Sequence, residues 1–255
     1  MKNTYKSALK FSLCMLPIGI IGGVLTGIFS ITTLNQEMIN QILDKMSKEA
    51  YILVSGIQIG ILYAGIMGFF GYILADKVNL LKKFTFTKKS VLITLFIGIM
   101  GGLFLLSDYF TFAKVIPEVA ATYKKDNYSL VYLAVSVIYG GVLEEIMVRL
   151  FFMSLAAFIL WKLFARSKDK ENIPVWIFVV ANIVSALLFA AGHIPATITM
   201  FGGLNALILL RCFLLNGILG MVFGWLYRKL GLQYAMIAHA LCHVIPHVIL
   251  VCFLL

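Results

Sequence analysis

The sequence predicts an all-α fold, a polytopic transmembrane helical bundle of seven or eight spans. Three observations carry this reading. Hydrophobic residues fill 62% of the 255 positions before glycine is counted, whereas a soluble domain is about 45–50% apolar with glycine included. Mean hydropathy is +1.00, more than any single soluble core of this length could bury. Apolar runs of about 20 residues, the length needed to cross a bilayer, recur along the chain with basic segments between them.

The first run, Phe11–Ile31, follows Lys2, Lys6 and Lys10. It is long for the apolar region of a signal peptide, and no small-residue cleavage site follows it, so it reads as a retained span. The next runs are Ala50–Ala75, Ser90–Phe110, Ser129–Ala165, Pro174–Ala191, Leu204–Tyr227 and Gln233–Leu255. Ser129–Ala165 would extend roughly 55 Å as one helix against a hydrocarbon core of about 30 Å. It is therefore either a long tilted helix or two pieces broken near Gly140–Gly141. Pro195 and the Gly202–Gly203 pair predict a re-entrant or interfacial turn within His193–Arg211. The amino-terminal helices (1–127) and the carboxy-terminal region (128–255) together read as one integral domain.

Charge orients these spans. The net charge is +10, and its lysines and arginines cluster in alternate loops. Lys77, Lys82, Lys83, Lys88 and Lys89 form one group, Lys162, Arg166, Lys168 and Lys170 another, and Arg228 with Lys229 a third. The positive-inside rule assigns these loops and the amino terminus to the cytoplasmic side of a cell membrane, near anionic lipid. Segments Asn35–Glu49 and Thr111–Tyr128 then face outward. No Arg/aromatic platform or Gly-rich phosphate loop supports a nucleic-acid site. Cys14, Cys212, Cys242 and Cys252 lie in apolar stretches without a CxxC, and read as buried thiols rather than a disulfide or metal set. Gly68, Gly71, Gly98, Gly101 and Gly102 read as points of close helix approach.

Within Ser129–Ala165 the formal charges are Glu144, Glu145, Arg149 and Lys162. The first three would cost on the order of 8–10 kcal/mol if they faced lipid unpaired. Glu145 and Arg149 are four apart and share a helical face, so this carboxylate meets the guanidinium. Glu144 is rotated by about 100° from its neighbour. It stays free and partly desolvated, a state suited to a general base or acid. The alternative is a charge cluster that locks helix packing.

The chain has four histidines: His193, His239, His243 and His247. His239 and His243 share a face of the last span, a spacing that turns two imidazoles to one centre, as in helical zinc sites. His247 follows Pro246 and reads as an accessory residue turned away. Arg211 either snorkels, pairs with a carboxylate such as Glu144 or Glu145, or ends a re-entrant segment. Asp108 reads as interfacial, and Asn182, Asn205 and Asn216 as interhelical hydrogen-bonders. No serine or cysteine joins a comparable cluster, which argues against a covalent nucleophile.

Glu144-Glu145-Ile146-Met147-Val148-Arg149 resembles the EExxxR motif of the CAAX protease and bacteriocin-processing (CPBP, or ABI) family. Phe189-Ala-Ala-Gly-His193 resembles its FxxxH motif, and His239-Ala-Leu-Cys-His243 its third motif, HxxxN or a variant. The likeness covers roughly residues 128–248, and the amino-terminal half matches only as generic spans. It implies a multi-pass intramembrane endopeptidase similar to the type II CAAX prenyl endopeptidases, acting on membrane-associated peptides or proteins. Glu144 would activate water, Glu145 and Arg149 would order the site, and His193 and His239 would complete it. His243 stands where the family usually has asparagine. That family is described both as metalloproteases and as metal-independent glutamate proteases. Zinc held by His193, His239 and His243, or no metal at all, both stay open here.

Two other classes use the same residues. An ion or proton transporter would run a relay through Glu144, Arg149 and His239, although matched inverted halves with interrupted helices are not visible. A non-catalytic membrane immunity or assembly protein would use the cluster for packing or peptide binding.

Overall fold

A computed structural model describes residues 2–255, with side chains from Asn3 onward; the Lys2 side chain lies outside the described residues. The helices are α1 (Lys2–Thr33), α2 (Gln36–Leu43), α3 (Lys48–Lys77), α4 (Lys88–Val115), α5 (Leu130–Phe164), α6 (Val175–Gly192), α7 (Ile194–Phe201), α8 (Ala206–Leu230) and α9 (Leu232–Leu254). There is no strand among the described residues. Seven helical stretches are long and apolar enough to cross a membrane, with α6 and α7 forming one of them. The chain is an all-α, multi-pass membrane protein, and each apolar run of the sequence has become one span.

Local sequence sets where several spans begin. Ser47, Thr87, Ser129 and Asn205 each stand in extended backbone and accept a hydrogen bond from the amide three residues on. These caps satisfy donors that a helix start leaves without partners. The turn expected within His193–Arg211 is narrower than predicted. His193 separates α6 from α7, which continues to Phe201 before Gly202 ends it at φ 71°. That left-handed backbone suits glycine.

The longest span does not break at its glycine pair. Residues Leu130–Phe164 form one helix of 35 residues. It widens instead into i→i+5 turns over Ser136–Glu144 and Ile146–Met153. Such turns are rare and occur mostly at functional sites. Gly140 and Gly141 serve close approach: a Cβ on Gly140 would lie 2.9 Å from His243 Nε2, and one on Gly141 2.8 Å from Ala240 Cβ. On the other side of α9, a Cβ on Gly98 would meet Leu241 Cβ at 2.7 Å, and one on Gly102 would meet Ile245 Cβ at 2.6 Å. α9 is thus held between α4 and α5, with its histidine-bearing face fixed against α5.

The core forms below and beside that contact. Leu143, Ile146, Leu150 and Met153 of α5 pack with Ala75, Ile177, Tyr227 and Ala235. Leu219, Phe223, Ala238 and Cys242 form a second cluster between α8 and α9. Leu92, Phe96, Ile99, Val179, Ile183 and Leu187 point outward, as lipid-facing residues should. The cysteine reading needs correction here. Cys212 and Cys242 are buried, but Cys14 and Cys252 lie on the outer surface of the bundle, where a lipid environment accepts a thiol as readily as a core does.

Of the three asparagines, Asn182 bridges helices, with Nδ2 donating to the Met221 carbonyl at 2.8 Å. Gly224 makes room for it. The other two act within their own surroundings: Asn205 caps α8, and Asn216 donates to the Cys212 carbonyl at 2.9 Å.

Candidate active site

The acidic pair divides as helical geometry requires. Glu145 is fully buried, and its Oε2 lies 3.2 Å from Arg149 Nε. The Arg149 N–H groups do not align on an acceptor among the described residues, so this is charge pairing without a linear hydrogen bond. The guanidinium also lies 5.4 Å over the Phe189 ring, a cation–π contact that helps offset its burial. The second Glu145 oxygen, Oε1, is 2.9 Å from His239 Nδ1. A carboxylate paired with arginine is an acceptor, so Nδ1 carries the proton and donates. The pair therefore fixes the orientation of an imidazole on a helix 94 residues away.

Glu144 points to the other side. Its Oε1 is 3.9 Å from His193 Nε2 and its Oε2 is 3.9 Å from His239 Nε2. Its side chain is 11% exposed against 0% for Glu145, so one carboxylate is sealed and the other reaches open space. The opening lies toward His193, whose side chain is 32% exposed. His193 Nδ1 is 2.8 Å from the Phe189 carbonyl one turn back. Since a carbonyl only accepts, the proton sits on Nδ1, and Nε2 faces Glu144.

His243 completes the cluster: its Nε2 is 3.2 Å from His239 Nε2. Because His239 already donates through Nδ1, the proton between the two Nε2 atoms comes from His243 while both rings are neutral. The rings are stacked at 5.0 Å and 29°, and Phe223 stacks on the far face of His239 at 4.7 Å. Phe189 sets its edge against His193 at 4.6 Å and His239 at 6.0 Å. All six residues expected in the site, Glu144, Glu145, Arg149, His193, His239 and His243, are thus brought together from α5, α9 and the junction of α6 with α7. Sequence reasoning missed two contributors. Phe223 is one of 20 phenylalanines and carries no local signal. Gly140 entered only as a place for a break, the alternative to a long tilted helix, although its position four residues before Glu144 puts it on the same helical face as that glutamate.

The zinc set expected from His193, His239 and His243 has to be tested against this geometry. His239 and His243 bring two ring nitrogens close, but no three His, Cys, Asp or Glu side chains gather suitably for a metal ion among the described residues. The Nδ1 bonds of His193 and His239 to Phe189 and Glu145 are ones that metal-bound imidazoles also make, so the misfit lies in how the side chains are grouped and not in these bonds. The side chains as arranged do not fit a zinc centre, and no step below runs through one.

Arg211 pairs with neither glutamate. Its Nε and NH2 donate to Asp108 Oδ1 and Oδ2 at 2.8 and 2.6 Å, and the Tyr123 hydroxyl donates to Oδ2 at 2.6 Å. Asp108 is 1% exposed and held by this bidentate partner near the end of α4. Burial, followed by the adjacent Asp108 carboxylate, pushes the Tyr123 phenol well above its usual range. His247 also departs from expectation. It is 7% exposed and packs inward, because Pro246 is accommodated within α9 rather than turning the chain away.

No curated protein and no solved structure matches the chain. A family model, "Type II CAAX prenyl endopeptidase Rce1-like", matches residues 126–245. The matched stretch opens in the loop before α5 and ends in α9 just past His243, so it contains every residue of the cluster. Over these residues the chain is similar to the Rce1-like type II CAAX prenyl endopeptidases.

Proposed function

We propose that this protein is an intramembrane endopeptidase that hydrolyses membrane-associated peptides or proteins, of CAAX, leader or signalling type, with a water activated by Glu144. The observation that carries the reading is the position of Glu144. It stands 3.9 Å from ring nitrogens on two different helices, beside a second glutamate that Arg149 has neutralised. That spacing is too long for direct hydrogen bonds, and a water oxygen about 2.8 Å from each partner bridges it.

The reaction then runs on the chain's own groups. Glu144 takes a proton from the water, whose oxygen bonds to the scissile carbonyl carbon while the carbonyl π pair moves to oxygen. The imidazoles beside Glu144 line the place of this oxyanion, and the Nε2–H of neutral His243 is the donor that can turn to it. Glu144 passes its proton to the amide nitrogen, the C–N bond breaks, and a carboxylate and an amine leave. Glu145 holds His239 in the required tautomer, and Arg149 supplies the counter-charge of Glu145. The basic ends of α3, α5 and α8 support a cytoplasmic amino terminus in a cell membrane.

The test compares membrane peptides and lipoproteins from cells carrying wild-type protein or Glu144→Gln, read by mass spectrometry, together with purified protein and a prenylated CAAX peptide. Truncated products that appear only with wild type support the reading. Identical peptide profiles, with no cleavage in vitro, overturn it. Flux of ions from vesicles without cleavage would instead favour a transporter.

A further inference from the structure

The catalytic cluster does not end at His243. α5 and α9 run antiparallel, and facing residues meet along them: Glu144 with His239 at 3.9 Å, Gly140 with His243, and Tyr132 with His247. The last pair is stacked at 6.0 Å and 20°. Ser136 falls between Gly140 and Tyr132, its hydroxyl donating to the Tyr132 carbonyl at 2.8 Å. Tyr128 closes the row, 6.0 Å from the His247 ring and 6.2 Å from Tyr123. A polar seam thus climbs about 12 Å from Glu144 to Tyr132, the rise of the eight α9 residues from His239 to His247, and continues through Tyr128 toward Tyr123 and Asp108.

Polar residues within hydrocarbon are costly and mark pathways or function. His247 is the informative one. It is 93% buried by its 7% exposure, and its Nδ1 has no partner among the described residues. A buried ring nitrogen left so costs about 1–3 kcal/mol, and two flanking phenol rings do not satisfy it. Packing alone would have been served better by phenylalanine or leucine.

We propose that this seam binds water and conducts it to Glu144 from the Tyr128 end, with His247 as the residue that holds the chain of water in place. The inference rests on the hydrolytic reading above for its purpose. His193 is the exposed side of the site, and a peptide seated against Glu144 would cover that side. Hydrolysis consumes one water per turnover, so a second approach that the substrate does not block keeps the site supplied. The seam offers donors and acceptors one turn apart, the two to four partners that a buried water needs.

The test is hydroxyl-radical footprinting of the full chain in lipid nanodiscs, with residue-level mass spectrometry, alongside cleavage kinetics. Wild type is expected to be labelled at Tyr132, His247 and His243. His247→Leu should lower labelling of His243 at least fivefold and reduce kcat with KM unchanged, while labelling of His193 stays constant and reports an intact fold. His247→Ser should restore both labelling and kcat. Unlabelled His243 in wild type, or equal labelling of His243 in wild type and His247→Leu, overturns the proposal. If labelling depends on His247 but no variant cleaves any peptide, the seam stands and the peptidase reading falls.

Discussion

Glu145 and His239 lie 94 positions apart in the chain, yet Oε1 and Nδ1 meet at 2.9 Å. Two adjacent glutamates therefore have separate tasks. Glu145 spends one oxygen on Arg149 and the other on the imidazole, and Glu144 is left to face the open side of the cluster.

Replacing Glu144 by glutamine keeps size and packing but removes the proton acceptor. Cleavage is expected to fall by about 10²–10⁴-fold, the range that general acid–base catalysis contributes. The unfolding temperature in detergent should stay within a few degrees of wild type, because Glu144 pairs with no buried cation at contact distance.

Glu145→Gln behaves differently. It strands the fully buried Arg149 without its counter-charge, a change worth roughly 3–5 kcal/mol for broken buried pairs. Thermal unfolding should show a large loss of stability together with lost activity. Adding Arg149→Met should recover much of the stability and none of the activity, since His239 still lacks its anionic partner.

Gly140→Ala tests the seat of His243. A Cβ there would stand 2.9 Å from His243 Nε2, displacing the imidazole from His239. A misplacement near 1 Å can cost up to about 10²-fold in rate, to be read in kcat. His243→Asn, shorter and amide-bearing, should retain activity and should make Gly140→Ala tolerable. Additive losses in the double variant would show that the two residues do not interact.

Asp108 and Arg211 provide a contrast. Asp108→Asn should lower stability by roughly 3–5 kcal/mol through the uncompensated guanidinium, with kcat per folded molecule unchanged. Tyr123, bonded to the same carboxylate, adds a pH dependence. Its phenol is held neutral by burial and by Asp108, whereas in the unfolded chain it ionises near its ordinary pKa of about 10. Its stabilising contribution is full below that pH and is lost as pH rises above it. Tyr123→Phe should flatten the alkaline limb of a plot of unfolding temperature against pH.

Metal removal separates the two mechanisms linked to the family. Dialysis against a strong chelator is expected to leave cleavage intact, because the three imidazoles do not gather as a ligand set. Activity lost to chelation and regained with zinc alone would require the side chains to rearrange around a metal.

Hydropathy and charge alone determined the class of this molecule and narrowed it to seven or eight spans, of which the structure has seven, because a helix that crosses lipid must satisfy its own backbone and show apolar side chains for about 20 residues. The order of Glu144-Glu145-xxx-Arg149, Phe189-xxx-His193 and His239-xxx-His243 likewise marked the candidate site, since charged and ring-nitrogen groups in hydrocarbon are costly wherever they stand. Local spacing also divided the glutamates correctly, because i and i+4 share a face. Only tertiary structure could decide the rest. The glycines at 140 and 141 fitted either a long tilted helix or a break, and packing of α9 against them decides for the unbroken helix. Arg211 found Asp108, 103 residues earlier, and Phe223 found His239. The physical reason is common to all three. A polar or aromatic group announces its need for a partner in the sequence, but which partner it meets depends on how helices pack, and packing is set by shape along whole faces rather than by any short run of residues.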